Sequence, residues 1–178
     1  MNRREEFDPI DGQGSAAPSQ PARPFGRGLS PKHLRLLINF WPPLLFAGIR
    51  VRKVAQDWRR VEAELHLRWW NRNALGSMFG GSLFSMTDPF YPLMLQHHLG
   101  PDYAVWTKSA EIEFLRPGKS LARATFCLSD DQIAEIKAAT ADGEKLLPRF
   151  STEITDPQGE TIAQVECTIY VRKKRPIS

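Results

Sequence analysis

The stretch from Asn73 to Leu99 reads NALGSMFGGSLFSMTDPFYPLMLQHHL, and it decides which fold the chain can adopt. It is a long apolar run that contains the pair Gly80-Gly81 near its start and closes before a Gly-Pro pair. We predict that it forms a buried central helix with a glycine-rich beginning, where another backbone or a ligand can approach closely. Its one carboxylate, Asp88, lies among aromatic and apolar residues, where burial of a charge is costly and needs a reason.

Segments on both sides of this helix alternate apolar and polar residues, which is typical of half-buried strands. The predicted inward-facing sets are Val61, Ala63, Leu65 and Leu67; Ala110, Ile112 and Phe114; Ala122, Ala124, Phe126 and Leu128; and Ala163, Val165, Cys167, Ile169 and Val171. Together with the remaining strand-like segments they give about six strands. Ser129 and Gln132 form a capping box that predicts a surface helix. A sheet packed on a helix is an α+β arrangement.

The N-terminal part divides into two regions. Residues 1–30 are rich in Pro, Gly, Ser, Gln and Ala, and such a composition predicts a disordered tail. Residues 31–178 are then one domain. Residues 31–49 predict an extra helix, with Ser30 as its N-cap and a kink or end at Pro42-Pro43. Its apolar face (Leu34, Leu37, Ile38 and Trp41) could pack on the core, cover an acyl tunnel or touch a membrane surface through residues 34–49.

Composition narrows the function classes. The net charge of the 178 residues is +4, and residues 31–75 hold nine Lys and Arg against three Asp and Glu. This basic region could meet an anionic ligand or simply be solvated. No interleaving of basic and aromatic residues indicates a nucleic-acid partner. Cys127 and Cys167 lack the spacing of metal ligands, so we expect reduced thiols in a cytoplasmic protein without a metal site.

The spacing of Gly80-Gly81 and Asp88, an acid seven residues after the second glycine, resembles that of hotdog-fold thioesterases. Those often carry His-Gly-Gly here, and Phe79 occupies the His position. The longer pattern NALGSMFGGSLFSMTDPFY, with EIEFLRPGK and IYVRKK, resembles a hotdog subfamily of unknown function grouped with tetrameric acyl-CoA thioesterases. The resemblance runs from about Pro31 to Lys174. It implies an antiparallel sheet curled around the central helix.

The same resemblance implies an activity, the hydrolysis of an acyl-CoA or acyl-carrier thioester without a cofactor. Asp88 would act as general base or nucleophile, and the backbone N–H of Gly80 would bind the developing oxyanion. Eight residues of helix span about 12 Å, whereas one carbonyl must lie about 3 Å from both groups. Two antiparallel helices across a two-fold axis would meet this condition. We therefore expect a homodimer with shared sites, or a tetramer built from such dimers.

Six further residues are candidates for contact with the substrate: Asn73, Phe79, Gly81, Thr87, Thr107 and Lys108. Asn73 could donate its amide to the thioester carbonyl or stabilise a turn. Thr87 could orient a water beside Asp88 or bond back to the helix. Thr107 and Lys108 begin a strand that would flank the site, or they face solvent.

Two alternatives stay open at this point. Proline disfavours a helical conformation at the preceding residue, so the central helix could kink at Asp88. The carboxylate could then cap the N–H groups of residues 90 and 91 instead of acting in catalysis. The whole protein could then be a non-catalytic hotdog module that binds acyl groups. The missing histidine at Phe79 favours that alternative. A hotdog dehydratase would need a His–acid pair, and the sequence offers none at a suitable spacing.

Overall fold

A computed structural model of the protein describes residues 30–174. Apart from Ser30, the predicted tail lies outside the described residues, as do residues 175–178. Within this range the helices are α1 (Pro31–Phe40), α2 (Pro42–Ala47), α3 (Gly80–Ser85), α4 (Phe90–Leu99) and α5 (Asp130–Ala139). The strands are β1 (Ile49–Val54), β2 (Arg60–His66), β3 (Tyr103–Phe114), β4 (Leu121–Cys127), β5 (Lys145–Leu146), β6 (Arg149–Thr155) and β7 (Thr161–Lys173).

The strands form one antiparallel sheet in the order β1-β2-β4-β6-β7-β3. The short strand β5 pairs with β7 beside this path and brings the number of strands to seven, one more than the sequence predicts. A curled antiparallel sheet that packs on helices is the α+β hotdog architecture, so the predicted fold class is confirmed.

Helix α4 supplies the apolar surface on which the sheet packs. Phe90 is 1 % exposed, and its ring centroid lies 4.7 Å from that of Phe126 on β4. Tyr91 stacks on Phe150 of β6 at 4.4 Å. The predicted inward set of β4 is buried as expected: Ala122, Ala124, Phe126 and, just after the strand, Leu128. Fully buried aromatic side chains of this kind contribute much of the stability of a small domain.

The central helix starts later than residue 73 and is interrupted at Asp88, where the sequence indicated a possible kink. Helix α3 begins only at Gly80, and residues 86–89 separate it from α4. The physical reason is Pro89, which lacks an N–H and disfavours a helical conformation at Asp88. Pro89 is itself the N-cap residue of α4, and no side chain caps this helix. Among the described contacts, neither Phe90 N–H nor Tyr91 N–H donates to Asp88, which disfavours the alternative in which Asp88 caps α4.

Strand β3 lies at an edge of the sheet, paired on one side with β7. We predicted that Ala110, Ile112 and Phe114 face inward, but Ala110 and Phe114 are exposed and Ile112 is only half-buried. The alternation is present, yet in the described part of the chain nothing covers this half of β3. Edge strands with open backbone groups are where a second chain can add.

The predicted N-terminal helix begins at Pro31 with Ser30 as N-cap, as expected, and Pro42 separates α1 from α2. Leu34 and Ile38 are buried, whereas Leu37 and Trp41 are 41 % and 38 % exposed, so only half of the predicted face packs on the sheet. Asn39 fixes α1 to β1 because its amide accepts from Val51 N and donates to Val51 O. No helix among the described residues is long and apolar enough to cross a membrane.

Candidate active site

Two asparagines shape the turn that leads into α3. The buried Asn71 donates to the carbonyl groups of Ala47 and His66, at 2.9 Å each, and so holds this turn on α2 and β2. Asn73 donates to Ser77 Oγ at 2.8 Å and accepts from Ser77 N at 3.1 Å. The amide of Asn73 thus has a turn role. Its contact with a substrate stays a prediction.

Gly80 lies in a cleft of about 380 Å³ between this turn and the end of β3. Asn73, Met78, Leu83, Phe114 and Gly118 line the same cleft. Gly80 is the first residue of α3, so its N–H has no acceptor within the helix. None of the other described residues accepts a hydrogen bond from it. A Cβ atom at Gly80 would lie 3.0 Å from Cζ of Phe114. The ring therefore rests directly on the glycine.

A second aromatic ring borders the glycine pair from the other side. A Cβ atom at Gly81 would overlap Cε1 of Phe79, the residue that stands in the expected histidine position. Phe79 is 56 % exposed and Phe114 is 53 % exposed. The glycine pair thus lies between two rings that remain largely open to solvent. Apolar walls around a few polar groups are typical of ligand sites.

Asp88 lies in the break between α3 and α4, and it is exposed in the single chain, contrary to the expected burial. None of the described residues donates a hydrogen bond to its carboxylate. The neighbouring Thr87 is buried, and its hydroxyl donates to Phe84 O at 2.8 Å. This is the hydrogen bond back to the helix that we considered as the alternative to orienting a water. The Asp88 carboxylate is consequently free to contact a ligand.

A cleft of about 250 Å³ lies beside Asp88. Ser85, Phe84 and Pro89 line it on one side, and Trp41 and Leu44 of the N-terminal helices line it on the other. We call this the Asp88 cleft and the cleft at Gly80 the Gly80 cleft.

Cys167 on β7 experiences the charge of Asp88. Burial of the thiol is the main cause that raises its pKa to about 11, and the negative charge of Asp88 raises it further, while a backbone hydrogen bond from Phe150 opposes the shift. Both effects disfavour the thiolate. Cys167 is accordingly a poor nucleophile at neutral pH, although it lies near the candidate acid.

The chain brings some of the predicted site residues together and separates others. Asn73 and Gly80 line the Gly80 cleft, whereas Asp88 lines the other. Thr107 and Lys108 line neither cleft; they lie where the pairing of β3 with β7 shifts its register. A further cleft of about 460 Å³ beside β3 is lined by Glu111, Glu113 and Glu166, whose charges disfavour an anionic ligand.

Sequence reasoning missed one apolar contributor to the Gly80 cleft and the contact between two others at the Asp88 cleft. Phe114 was predicted to face the core, but it covers Gly80. Leu44 and Phe84 come from segments 40 residues apart and meet only in the folded chain. No local pattern could have revealed these contacts. Among residues 30–174, no group of three or more His, Cys, Asp and Glu side chains could hold a metal ion.

Comparison with known families identifies the chain. Residues 32–171 match the family described as "Domain of unknown function (DUF4442)". The chain belongs to this family. The match includes the glycine pair, Asp88, strands β1 to β6 and β7 as far as Val171. This confirms the predicted subfamily of unknown function. No curated protein matches the sequence significantly.

Solved structures resemble this DUF4442 chain along most of its length. PA5026 from Pseudomonas aeruginosa, a protein of unknown function described as "Probable Thioesterase", is 22% identical, with a TM-score of 0.70 over 80% of this chain and 96% of that chain. Thioesterase HI1161 from Haemophilus influenzae is 16% identical, with a TM-score of 0.59 over 83% and 94%. The PaaI protein of the E. coli phenylacetic acid degradation operon is 16% identical, with a TM-score of 0.53 over 81% and 92%. These similarities establish the hotdog fold.

Proposed function

We propose that the protein is a thioester hydrolase that acts on acyl-CoA, with Asp88 as general base or nucleophile and the Gly80 N–H as oxyanion donor. The observation that carries this proposal is the free Asp88 carboxylate at the mouth of an apolar cleft. A carboxylate within reach of the scissile carbonyl can activate water or attack directly. The thioesterase descriptions of PA5026 and HI1161, which have the same fold, support the reaction class.

The Gly80 N–H is the proposed donor because Gly80 lines a cleft and none of the described residues accepts from this N–H. An oxyanion donor must be fixed before the reaction, since its advantage over water comes from needing no reorganisation. The hydrogen bonds of Asn71 and Asn73 provide this rigidity. Six further residues remain proposed substrate contacts. Three lie in or near the glycine pair, namely Asn73, Phe79 and Gly81, and the other three are Thr87, Thr107 and Lys108.

We further propose a homodimer in which Asp88 of one subunit meets Gly80 of its partner, alone or within a tetramer. The two residues line different clefts of one chain, whereas one carbonyl must lie about 3 Å from both groups, which supports a site completed by a second subunit. The open edge of β3 offers a surface for self-association, because its second half exposes Ala110 and Phe114. The proposed compartment is the cytoplasm, where the thiols of Cys127 and Cys167 stay reduced.

The first test is the release of free thiol from a series of acyl-CoAs. Asp88→Asn keeps the size of the side chain but removes the base, so we expect turnover to fall by about 100-fold or more. Asp102→Asn is the matched control, since Asp102 is an exposed aspartate in the turn before β3 and lines neither cleft. Binding of acyl-CoA without turnover by the wild type would instead favour the non-catalytic acyl-binding module.

A mixing experiment tests whether the sites are shared. Gly80→Pro deletes the N–H yet suits the first helical position, and Phe79 already has the extended conformation that precedes proline (φ −65°, ψ 125°). Gly80→Ala adds a Cβ atom but keeps the N–H, so its loss should be much smaller. We expect Gly80→Pro and Asp88→Asn each to be inactive alone.

Equal mixing of these two variants should restore about a quarter of wild-type activity, because half of the dimers are mixed and each holds one intact site. Sites contained within one chain would give no recovery on mixing. An active, monodisperse monomer would equally rule out the shared site.

A further inference from the structure

The Asp88 cleft contains more than the candidate acid. Two of its lining side chains, Ser85 and Asp88, are polar, and the others are apolar. Its far wall comes from Leu44 of α2 and from Trp41, which lies between α1 and α2, and not from the sheet or the central helices. The cleft thus joins one carboxylate to an apolar groove. This combination suits a ligand with a reactive polar end and a hydrocarbon chain.

The wall formed by the N-terminal helices is firmly attached. Leu44 is 3 % exposed, and α1 is fixed to β1 by the two hydrogen bonds between Asn39 and Val51. The far end of α2 is held as well, because Asn71 donates to Ala47 O. A wall anchored at both ends keeps a defined distance from Phe84, so the cleft has a defined capacity.

We infer that the Asp88 cleft binds the acyl chain of the substrate and limits its length to a medium chain, with Ser85 and Leu44 as specificity-determining residues. This inference rests on the proposed hydrolysis of thioesters. The thioester carbon lies at Asp88, and the chain runs between Phe84 and the N-terminal helices. Coenzyme A then extends away from the cleft.

The volume sets the expected chain length. The volume of about 250 Å³ is smaller than the roughly 300–1,000 Å³ of pockets that enclose a drug-sized ligand, so we expect the cleft to hold a chain on the order of eight carbon atoms. Burial of each methylene group should tighten binding about fourfold. Carbon atoms beyond the capacity of the cleft remain in water and should add nothing.

Binding of S-alkyl-CoA thioethers tests this inference without turnover, because a thioether cannot be hydrolysed. We would measure dissociation constants by calorimetry for chains of about two to sixteen carbons. For the wild type we expect about fourfold tighter binding per methylene up to about eight carbons, and a plateau beyond.

Ser85→Phe is the decisive variant, because Ser85 is exposed on α3 and lines the cleft. The larger side chain adds about five non-hydrogen atoms, so the plateau should move from about eight carbons to about three. Ala138→Phe is the matched control, since it places the same ring at an exposed helical position on α5, outside the cleft. If the phenylalanine variant does not fold, Ser85→Leu replaces it in the experiment, because leucine fills less of the cleft and should shift the plateau to shorter chains by a smaller amount.

The outcomes separate this inference from the proposed reaction. An unchanged plateau in folded Ser85→Phe or Ser85→Leu, or a wild-type affinity independent of chain length, would overturn the acyl site. A plateau that moves with Ser85 would support it even if the wild type failed to hydrolyse any acyl-CoA. In that case only the hydrolase proposal would be lost.

Discussion

Helices α4 and α3 come from one apolar stretch of sequence, yet α4 buries five of its ten residues and α3 buries two of its six. Phe90 of α4 packs on Phe126 inside the sheet. Gly80 and Gly81 of α3 lie instead between two exposed rings. The stretch is therefore divided between stability and ligand access, and Pro89 marks the boundary. A helix that packs on the sheet holds the fold, and a short helix with glycines leaves room for a ligand.

The largest expected effect comes from truncating two rings separately: that of Phe90 in α4 and that of Phe114, which extends from β3 over Gly80 of α3. Phe90→Ala should lower the free energy of unfolding by about 3–5 kcal/mol, because it opens a cavity in a closed core. Phe114→Ala also removes a phenyl ring, but from an exposed position over Gly80, so it should lower the free energy of unfolding by less than about 1 kcal/mol. Chemical denaturation of both variants measures the difference. Similar losses would mean that the two helices do not divide their roles in this way.

A smaller effect tests whether polar contacts also fix α4. The Tyr91 hydroxyl donates to Ser151 O at 3.2 Å and accepts from Thr152 Oγ1 at 3.3 Å. Tyr91→Phe keeps the ring on Phe150 and should cost about 1 kcal/mol. Tyr170 is the matched control, because its hydroxyl is buried without a hydrogen-bond partner among the described residues. Tyr170→Phe should be neutral or stabilising in the same denaturation experiment, and an equal loss would contradict this.

Much of the fold could be predicted from the sequence because its signals are local. The capping box at Ser129 and Gln132 forms as expected, and so does the proline break after α1. The alternation that identifies strands is a property of each strand alone. Asp88 and the glycine pair were likewise visible as candidates, since they are close in sequence.

The exposure of particular faces could not be predicted in the same way. Phe114 has the alternation of a core residue, but it lies on an edge strand that nothing covers in the described chain. Asp88 was expected to be buried because its neighbours are apolar, yet the break at Pro89 turns it outward. Both errors arise because exposure depends on the arrangement of the folded chain: Pro89 signals a break in the helix, but the local sequence does not report which way Asp88 faces.

The smallest expected effect lies at the boundary itself and links Asp88 to Cys167. The carboxylate helps to raise the pKa of the Cys167 thiol, so Asp88→Asn should lower that pKa and speed alkylation of Cys167 on the order of twofold at pH 8–9. Mass spectrometry after iodoacetamide treatment measures the rate, with the exposed Cys127 as internal reference.

The pH dependence has a definite sign. The pKa of Cys167 is raised from 9.0 to about 11 in the folded chain, so the folded state keeps its proton while the unfolded chain loses it. The stabilisation that the Cys167 thiol contributes to the folded state is fully present below pH 9, and it decreases as the pH rises towards 11. An alkylation rate of Cys167 that is unchanged in Asp88→Asn, with Asp102→Asn as control, would mean that the carboxylate points away from β7. The acid would then act only in the cleft that it shares with the N-terminal helices.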